Sequence, residues 1–139
     1  MARVQNLFRA SKKHLPMEEL SEVRAVVDTG FEGCAHARSG RKRQVLLVDR
    51  ETLEAMDLTP GIIRENITTD GLNVNSLEIG QLLRAGEARL EVSAICAACD
   101  QMEAIRPGLQ KELWGRRGML CRVLQGGVIR LGDSIEKLS

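Results

Sequence analysis

Turn signals recur so often along this chain that no long helix fits between them. Asp28-Thr29-Gly30, Pro60-Gly61, Asp70-Gly71, Ala85-Gly86-Glu87, Pro107-Gly108, Gly126-Gly127 and Gly132-Asp133 cut it into short apolar runs. Their intervals are close to the ~8–12 residues found in β-barrels and sandwiches. Several runs alternate as half-buried strands do. Val23, Ala25 and Val27 share one face, and Ala88, Leu90, Val92 and Ala94 share another, with Arg89, Glu91 and Ser93 opposite. Further strands are predicted at Val4–Phe8, Gln44–Val48, Ile62–Thr68 and Ile135–Leu138. Hairpins are predicted from Gln81–Arg84 into the Leu90 strand, and from Met119–Leu124 into Val128–Leu131. Short helices are expected at Arg50–Met56 behind an Asp49 cap, at Asp100–Arg106 before Pro107-Gly108, and at Leu109–Trp114. The sum is roughly seven to nine strands in a mainly β fold, a closed or partly closed barrel, with two or three short helices in one domain, 1–139.

Composition narrows the function classes. The net charge of +1 gives no whole-molecule steering towards DNA or an anionic membrane. Two Phe, one Trp and no Tyr leave no interleaved aromatics on which bases stack. Neither a nucleic-acid nor a membrane partner is expected, and no apolar run approaches the ~20 residues of a span. The N-terminus is basic without the apolar segment of a secretory signal. Four cysteines, Cys34, Cys96, Cys99 and Cys121, then point to thiols in a reducing compartment, and the cytoplasm is the expected location.

The chemistry concentrates where the Leu90 strand runs into Cys96-Ala97-Ala98-Cys99. Spacing permits half of a metal site, a redox pair, a single reactive thiolate with a neighbour, or two small buried hydrophobes. A zinc-binding structural module would draw on Cys34, His36, Cys96 and Cys99. A dithiol oxidoreductase lacks the βαβ pattern before its CxxC. No nucleophile elbow, P-loop or dinucleotide fingerprint is present, and no lysine sits in a pyridoxal-phosphate setting. A thiolate at the strand end remains, with Lys12, Arg43, Arg64 and Asn66 as candidate anion ligands from other segments. Arg64, Glu65 and Asn66 are three consecutive side chains able to fix a polar ligand, and His36 lies in a glycine-bracketed loop where it can exchange a proton.

An ordered set of landmarks resembles the MOSC domain, named for the C-terminal part of molybdenum-cofactor sulfurases. The set runs through Gly30-x-x-Gly33-x-x-His36-Ala37, Arg43-Gln44-Val45, Pro60-Gly61 and Glu65-Asn66-Ile67-Thr68. It continues through Gly71-Leu72, Leu77, Gly80, Gly86, Leu90-Glu91-Val92, Cys99, Gly118, Gly126-Gly127-Val128-Ile129 and Gly132-Asp133. The resemblance implies a barrel similar to that of pyruvate kinase, and a role in binding the molybdenum cofactor (molybdopterin) or carrying sulfur for metal-sulfur centres. It makes Cys99 the reactive cysteine and metal ligand and Cys96 its accessory, since related amidoxime-reducing proteins also show Cys-x-x-Cys there. Lys12, His36, Arg43, Arg64, Glu65 and Asn66 become the implied cofactor-binding set. The implied partner is a cysteine desulfurase or a molybdenum enzyme; a molybdenum-dependent reductase of N-hydroxylated compounds would need an electron donor besides. Pyridoxal phosphate belongs to the fused half of larger members and is not expected. Two positions depart from the family pattern: Cys34 stands where an Asp is usual, and His14 where a Gly is usual.

Overall fold

The computed structural model describes residues 1–12, 16–35 and 37–138. Its elements in chain order are β1 (Arg3–Arg9), β2 (Glu18–Leu20), β3 (Glu22–Val26), β4 (Gly30–Phe31), β5 (Val45–Asp49), α1 (Arg50–Ala55), β6 (Ile67–Asp70), β7 (Leu82–Ala85), β8 (Ala88–Ile95), α2 (Gln101–Ile105), α3 (Leu109–Glu112), β9 (Met119–Gln125), β10 (Gly127–Arg130) and β11 (Ile135–Leu138). A single 3₁₀ turn covers Val74–Ser76. The fold is mainly β with three short helices, as the turn spacing predicts. Among the described residues no helix is long and apolar enough to cross a membrane.

Eight strands form one sheet in the order β11-β7-β8-β9-β5-β6-β1-β2, and β10-β3-β4 form a second. Every pair is antiparallel except β5 with β6. A parallel pair needs a crossover, and α1 with the segment behind it supplies one. Asp49 starts that crossover: one carboxylate oxygen accepts from Thr52 N at 3.0 Å and the other from Val74 N at 3.1 Å. The large sheet bends back towards itself. An isolated bridge joins Arg3 to Ser134, and Val4 N and Ile135 N donate to Asp133 O and Ala2 O. This bridge falls short of a continuous ladder, so the expected barrel is met as a curled sheet in which the start of β1 touches the chain just before β11.

Two apolar clusters fill the interior. Inside the curl lie Leu7, Phe31, Leu47, Ile67, Leu83, Leu90, Val92 and their neighbours. On the outer side, Leu53, Ile63, Met102, Leu109 and Leu113 pack over Leu46, Val48 and Leu120, with Cys96 and Ala98 in the same cluster. All five residues of β5 are therefore buried, which explains a continuous apolar run where the other strands alternate.

Three expectations need correction. Residues 62–66 are not strand: Arg64 takes φ +66° in a turn closed by Arg64 N donating to Gly61 O at 3.0 Å, and pairing begins only at Ile67. β9 and β10 are not a hairpin, because β9 pairs with β5 and β8 while β10 pairs with β3. A β-carbon at Gly126 would lie 2.8 Å from Ala25 O, so this glycine permits the close crossing from one sheet to the other. The strands also outnumber the expected roughly seven to nine, with eleven among the described residues, since β2 and β4 are too short to leave a periodic signal. The hairpin of β7 and β8 and the final strand lie where the pattern places them.

Gly118 precedes β9 at φ +109°, and a β-carbon there would collide with the carbonyl oxygen of Leu47. Gly118→Ala is expected to cost about 2–4 kcal/mol, from overpacking together with the left-handed backbone. Urea unfolding checks this; an unchanged midpoint would mean that β9 can move off β5 freely.

Candidate functional site

β8 delivers the cysteines. Beyond Ile95 the chain stays extended, with Cys96 N donating to Gly118 O at 3.0 Å, so the pairing with the β9 side continues past the strand. The alternation continues too: Cys96 and Ala98 are buried, and Ala97 and Cys99 are exposed. Cys96 thus belongs to the outer apolar cluster while Cys99 faces outward. The carbonyl of Cys99 accepts from Met102 N at 3.0 Å, which starts α2. With five residues, α2 is too short to build the helix dipole that would tune Cys99.

Both cysteines line a cavity of about 70 Å³ together with Arg43, Arg64, Asn66, Gln101 and Arg117. Each arginine arrives from a different place. Arg43 immediately precedes Gln44 and β5, on a segment held to β8 by Ser93 Oγ donating to Lys42 O at 2.5 Å. Its Nη2 is 3.9 Å from Cys96 Sγ. Arg64 leaves the tight turn before β6, and Arg117 leaves the turn before β9. Asn66 is tied into the frame: its Oδ1 accepts from Leu46 N at 2.9 Å, and its Nδ2 donates to Phe8 O at 3.2 Å and to Cys34 Sγ at 3.6 Å.

Glu65 and Arg117 carry the buried charge. Glu65 is fully buried; its Oε2 accepts from Gly61 N and from Thr68 Oγ1, each at 2.9 Å, and its Oε1 has no partner. Burial pushes the Glu65 carboxyl up, against the pull of those hydrogen bonds and of Arg117. Arg117 is 5% exposed, and its Nε and Nη1 are without a hydrogen-bond partner. Burial lowers its pKa, while Cys96, Cys99 and Glu65 favour its charged form.

The structure therefore brings Arg43, Arg64, Asn66 and Cys99 to one cavity, with Glu65 in electrostatic reach through Arg117. Lys12 stands exposed in the bend after β1 and is not among the cavity's lining residues. His36 lies outside the described residues, as do Lys13 and His14. Cys34 lies in the inner core, where its sulfur accepts from Ala10 N at 3.4 Å and from Asn66. Among the described residues no group of three or more His, Cys, Asp and Glu side chains converges as a metal site. Sequence reading missed Arg117, taking Gly115 to Gly118 only as a flexible turn that carries Arg116 and Arg117. No local signal marks it, since residues 117–121 are all buried and show no alternation.

A carboxyl raised by burial favours the folded state below the ordinary carboxylate range, and that contribution is lost as pH rises through the folded value. Urea unfolding across this range is expected to show the loss in the native protein and a flatter profile for Glu65→Gln. Superimposable profiles would contradict the assignment.

A second, larger groove of about 530 Å³ adjoins this cavity and shares Arg64 and Gln101 with it; Phe8, Met17, Ile62, Met102 and Ile105 make it apolar.

Comparison with known proteins gives a consistent result. No curated protein sequence matches the chain. Among solved structures, YiiM from Geobacillus stearothermophilus superposes with a TM-score of 0.81 at 20% identity, over 100% of this chain and 76% of that one. YiiM from Escherichia coli gives 0.74 at 22% identity, over 99% and 70%. The YuaD protein from Bacillus subtilis gives 0.76 at 18% identity, over 96% and 93%. At these identities the likeness establishes the fold. The model of the MOSC domain matches residues 35–136, a span running from the loop before β5 into β11. The chain belongs to the MOSC domain family.

Proposed function

We propose that this protein is a sulfur carrier whose working group is the Cys99 thiolate. The observation that carries this reading is the contrast among the four cysteines: Cys99 alone is exposed, and it lines a cavity shared by three guanidinium groups. Cys34 and Cys96 are buried, and burial pushes the Cys121 thiol far up. A thiolate is the nucleophilic form of cysteine, and nearby cations favour it. The chemistry is two displacements. The Cys99 thiolate attacks the outer sulfur of a donor persulfide, a new S–S bond forms, and the donor leaves as a thiolate. An acceptor nucleophile then attacks the outer sulfur on Cys99, and Cys99 leaves as a thiolate. Arg43, Arg64 and Arg117 stabilise the negative sulfur at each stage. A cysteine desulfurase fits as donor, and a molybdenum enzyme as the consumer.

A second reading is binding of the molybdenum cofactor, and it is supported by the groove that adjoins the cavity. The cavity of about 70 Å³ is too small for a pterin, whereas the groove of about 530 Å³ is of ordinary ligand-site size. Cys99 is a soft donor suited to such a metal. The arginines that line the cavity would hold oxo or phosphate oxygens. The cofactor would supply metal-centred redox chemistry, including reduction of N-hydroxylated compounds given an electron donor. The chain's own part is to ligate and orient it.

The test is cold cyanolysis after loading with polysulfide. Native protein is expected to release about one labile sulfur per chain by this mechanism, Cys99→Ser at least tenfold less, and Cys34→Ser or Cys121→Ser the native amount. Equal release from Cys99→Ser would end the carrier reading. Elemental analysis of gently purified protein addresses the second reading: molybdenum that depends on Cys99 supports it, and zinc that depends on Cys34 would replace it with a structural metal site.

A further inference from the structure

Arg117 is an expensive residue to bury as it stands. Among the described residues no ion pair or hydrogen bond holds it, and its Nε and Nη1 are enclosed without partners. A buried charge without a partner costs several kcal/mol in general. Two further arginines, Arg43 and Arg64, line the same cavity. Glu65 is the carboxyl that acts on Arg117, yet one of its oxygens is already committed to Gly61 N and Thr68 Oγ1. Burial also disfavours ionisation of Glu65.

The size of the space limits what can answer that charge. At about 70 Å³ it is well below the roughly 300–1,000 Å³ of an ordinary organic-ligand site, so a small ion suits it better than a large ligand. A planar guanidinium offers parallel donors that match two oxygens of one anion. The geometry points to a binding site for a small tetrahedral oxyanion, of the sulfate, thiosulfate or molybdate class, held by Arg43, Arg64 and the part of the Arg117 guanidinium that lines the cavity beside Cys99.

This site differs from the cofactor subsite of the second reading, because the ligand is a free inorganic ion that needs no pterin. It adds to the carrier reading a small anion held against the sulfur of Cys99, and it stands or falls separately from that reading. Anion and thiolate carry like charge, so the two compete for the same guanidiniums unless the anion itself reacts. Sulfate tests occupancy alone, since it has no transferable sulfur. Thiosulfate in addition allows transfer: the Cys99 thiolate attacks the outer sulfur, the S–S bond of thiosulfate breaks, and sulfite leaves with the bonding pair. The product is a persulfide on Cys99, with no external oxidant or reductant.

The experiment titrates sulfate and molybdate into the full chain by calorimetry, at constant ionic strength with chloride as the balancing salt. Saturable one-to-one binding is expected, at least tenfold weaker in Arg117→Gln and weakened in Arg43→Gln, where the exposed position of Arg43 keeps folding out of question. Arg89→Gln, on the exposed face of β8, controls for general loss of charge and is expected to bind as the native protein does. Absence of saturable binding, or equal binding by the native protein, Arg117→Gln and Arg43→Gln, would overturn the site. Polysulfide loading of Cys99, measured in the same preparation, separates the two readings. Loading without sulfate binding removes this inference and leaves the carrier; sulfate binding without loading does the reverse.

Discussion

The amide of Asn66 holds together the part of the molecule on which everything else is built. Its side chain accepts from Leu46 in β5 and donates to Phe8 in β1, while its own backbone N–H donates to Leu46 O and its carbonyl accepts from Phe8 N. One residue therefore joins the three strands at the point where the parallel pair begins. A buried amide so fully engaged fixes register, and register decides where the neighbouring residues emerge. Arg64 and Glu65 lie just before it, Arg43 lies just before β5, and Cys34 receives its third hydrogen bond. The family's Glu-Asn-Ile-Thr landmark thus reads physically as a strand junction, and only secondarily as a ligand-binding string.

Around that junction the chain separates two kinds of burial. Inside the curl the core is apolar and conventional. On the outer side, the short helices cover β5 and β9 with a second apolar layer, and its rim contains the arginine cavity. Burying Arg117 and Glu65 there costs stability that a hydrophobic pair would not, so their presence argues for chemistry at the rim. The same layout explains the different fates of the two cysteines. An extended segment alternates sides, so Cys96 enters the outer core and Cys99, three residues on, faces the solvent side of the same cavity.

Much of the fold was legible in the sequence, because turn residues and period-2 alternation are local signals. The β7–β8 hairpin, the Asp49 cap and the wholly buried β5 all follow from them. What was not legible depends on distant partners. Ile62 to Asn66 look like strand by residue type, yet the turn that holds them is fixed by Glu65 accepting from Gly61 N and Thr68 Oγ1. The supposed β9–β10 hairpin fails because Gly126 passes close to Ala25 in the other sheet. At the site, Cys99, Arg43, Arg64 and Asn66 were found from residue type and family landmarks and do meet at one cavity. Lys12 entered on residue type and on the family resemblance, and it stands away from that lining. Arg117 was passed over because nothing within a few residues of it signals burial.

The central claim is that one cysteine of four carries the functional sulfur. Peptide mapping of the native protein by mass spectrometry, after gentle purification and alkylation under non-reducing conditions, tests it at every cysteine at once. The account predicts a one-sulfur increment, or a bound metal species, confined to the peptide containing Cys99, with Cys96 unmodified on the same peptide. Added sulfur at Cys34 or Cys121, or at Cys96 in place of Cys99, would contradict it.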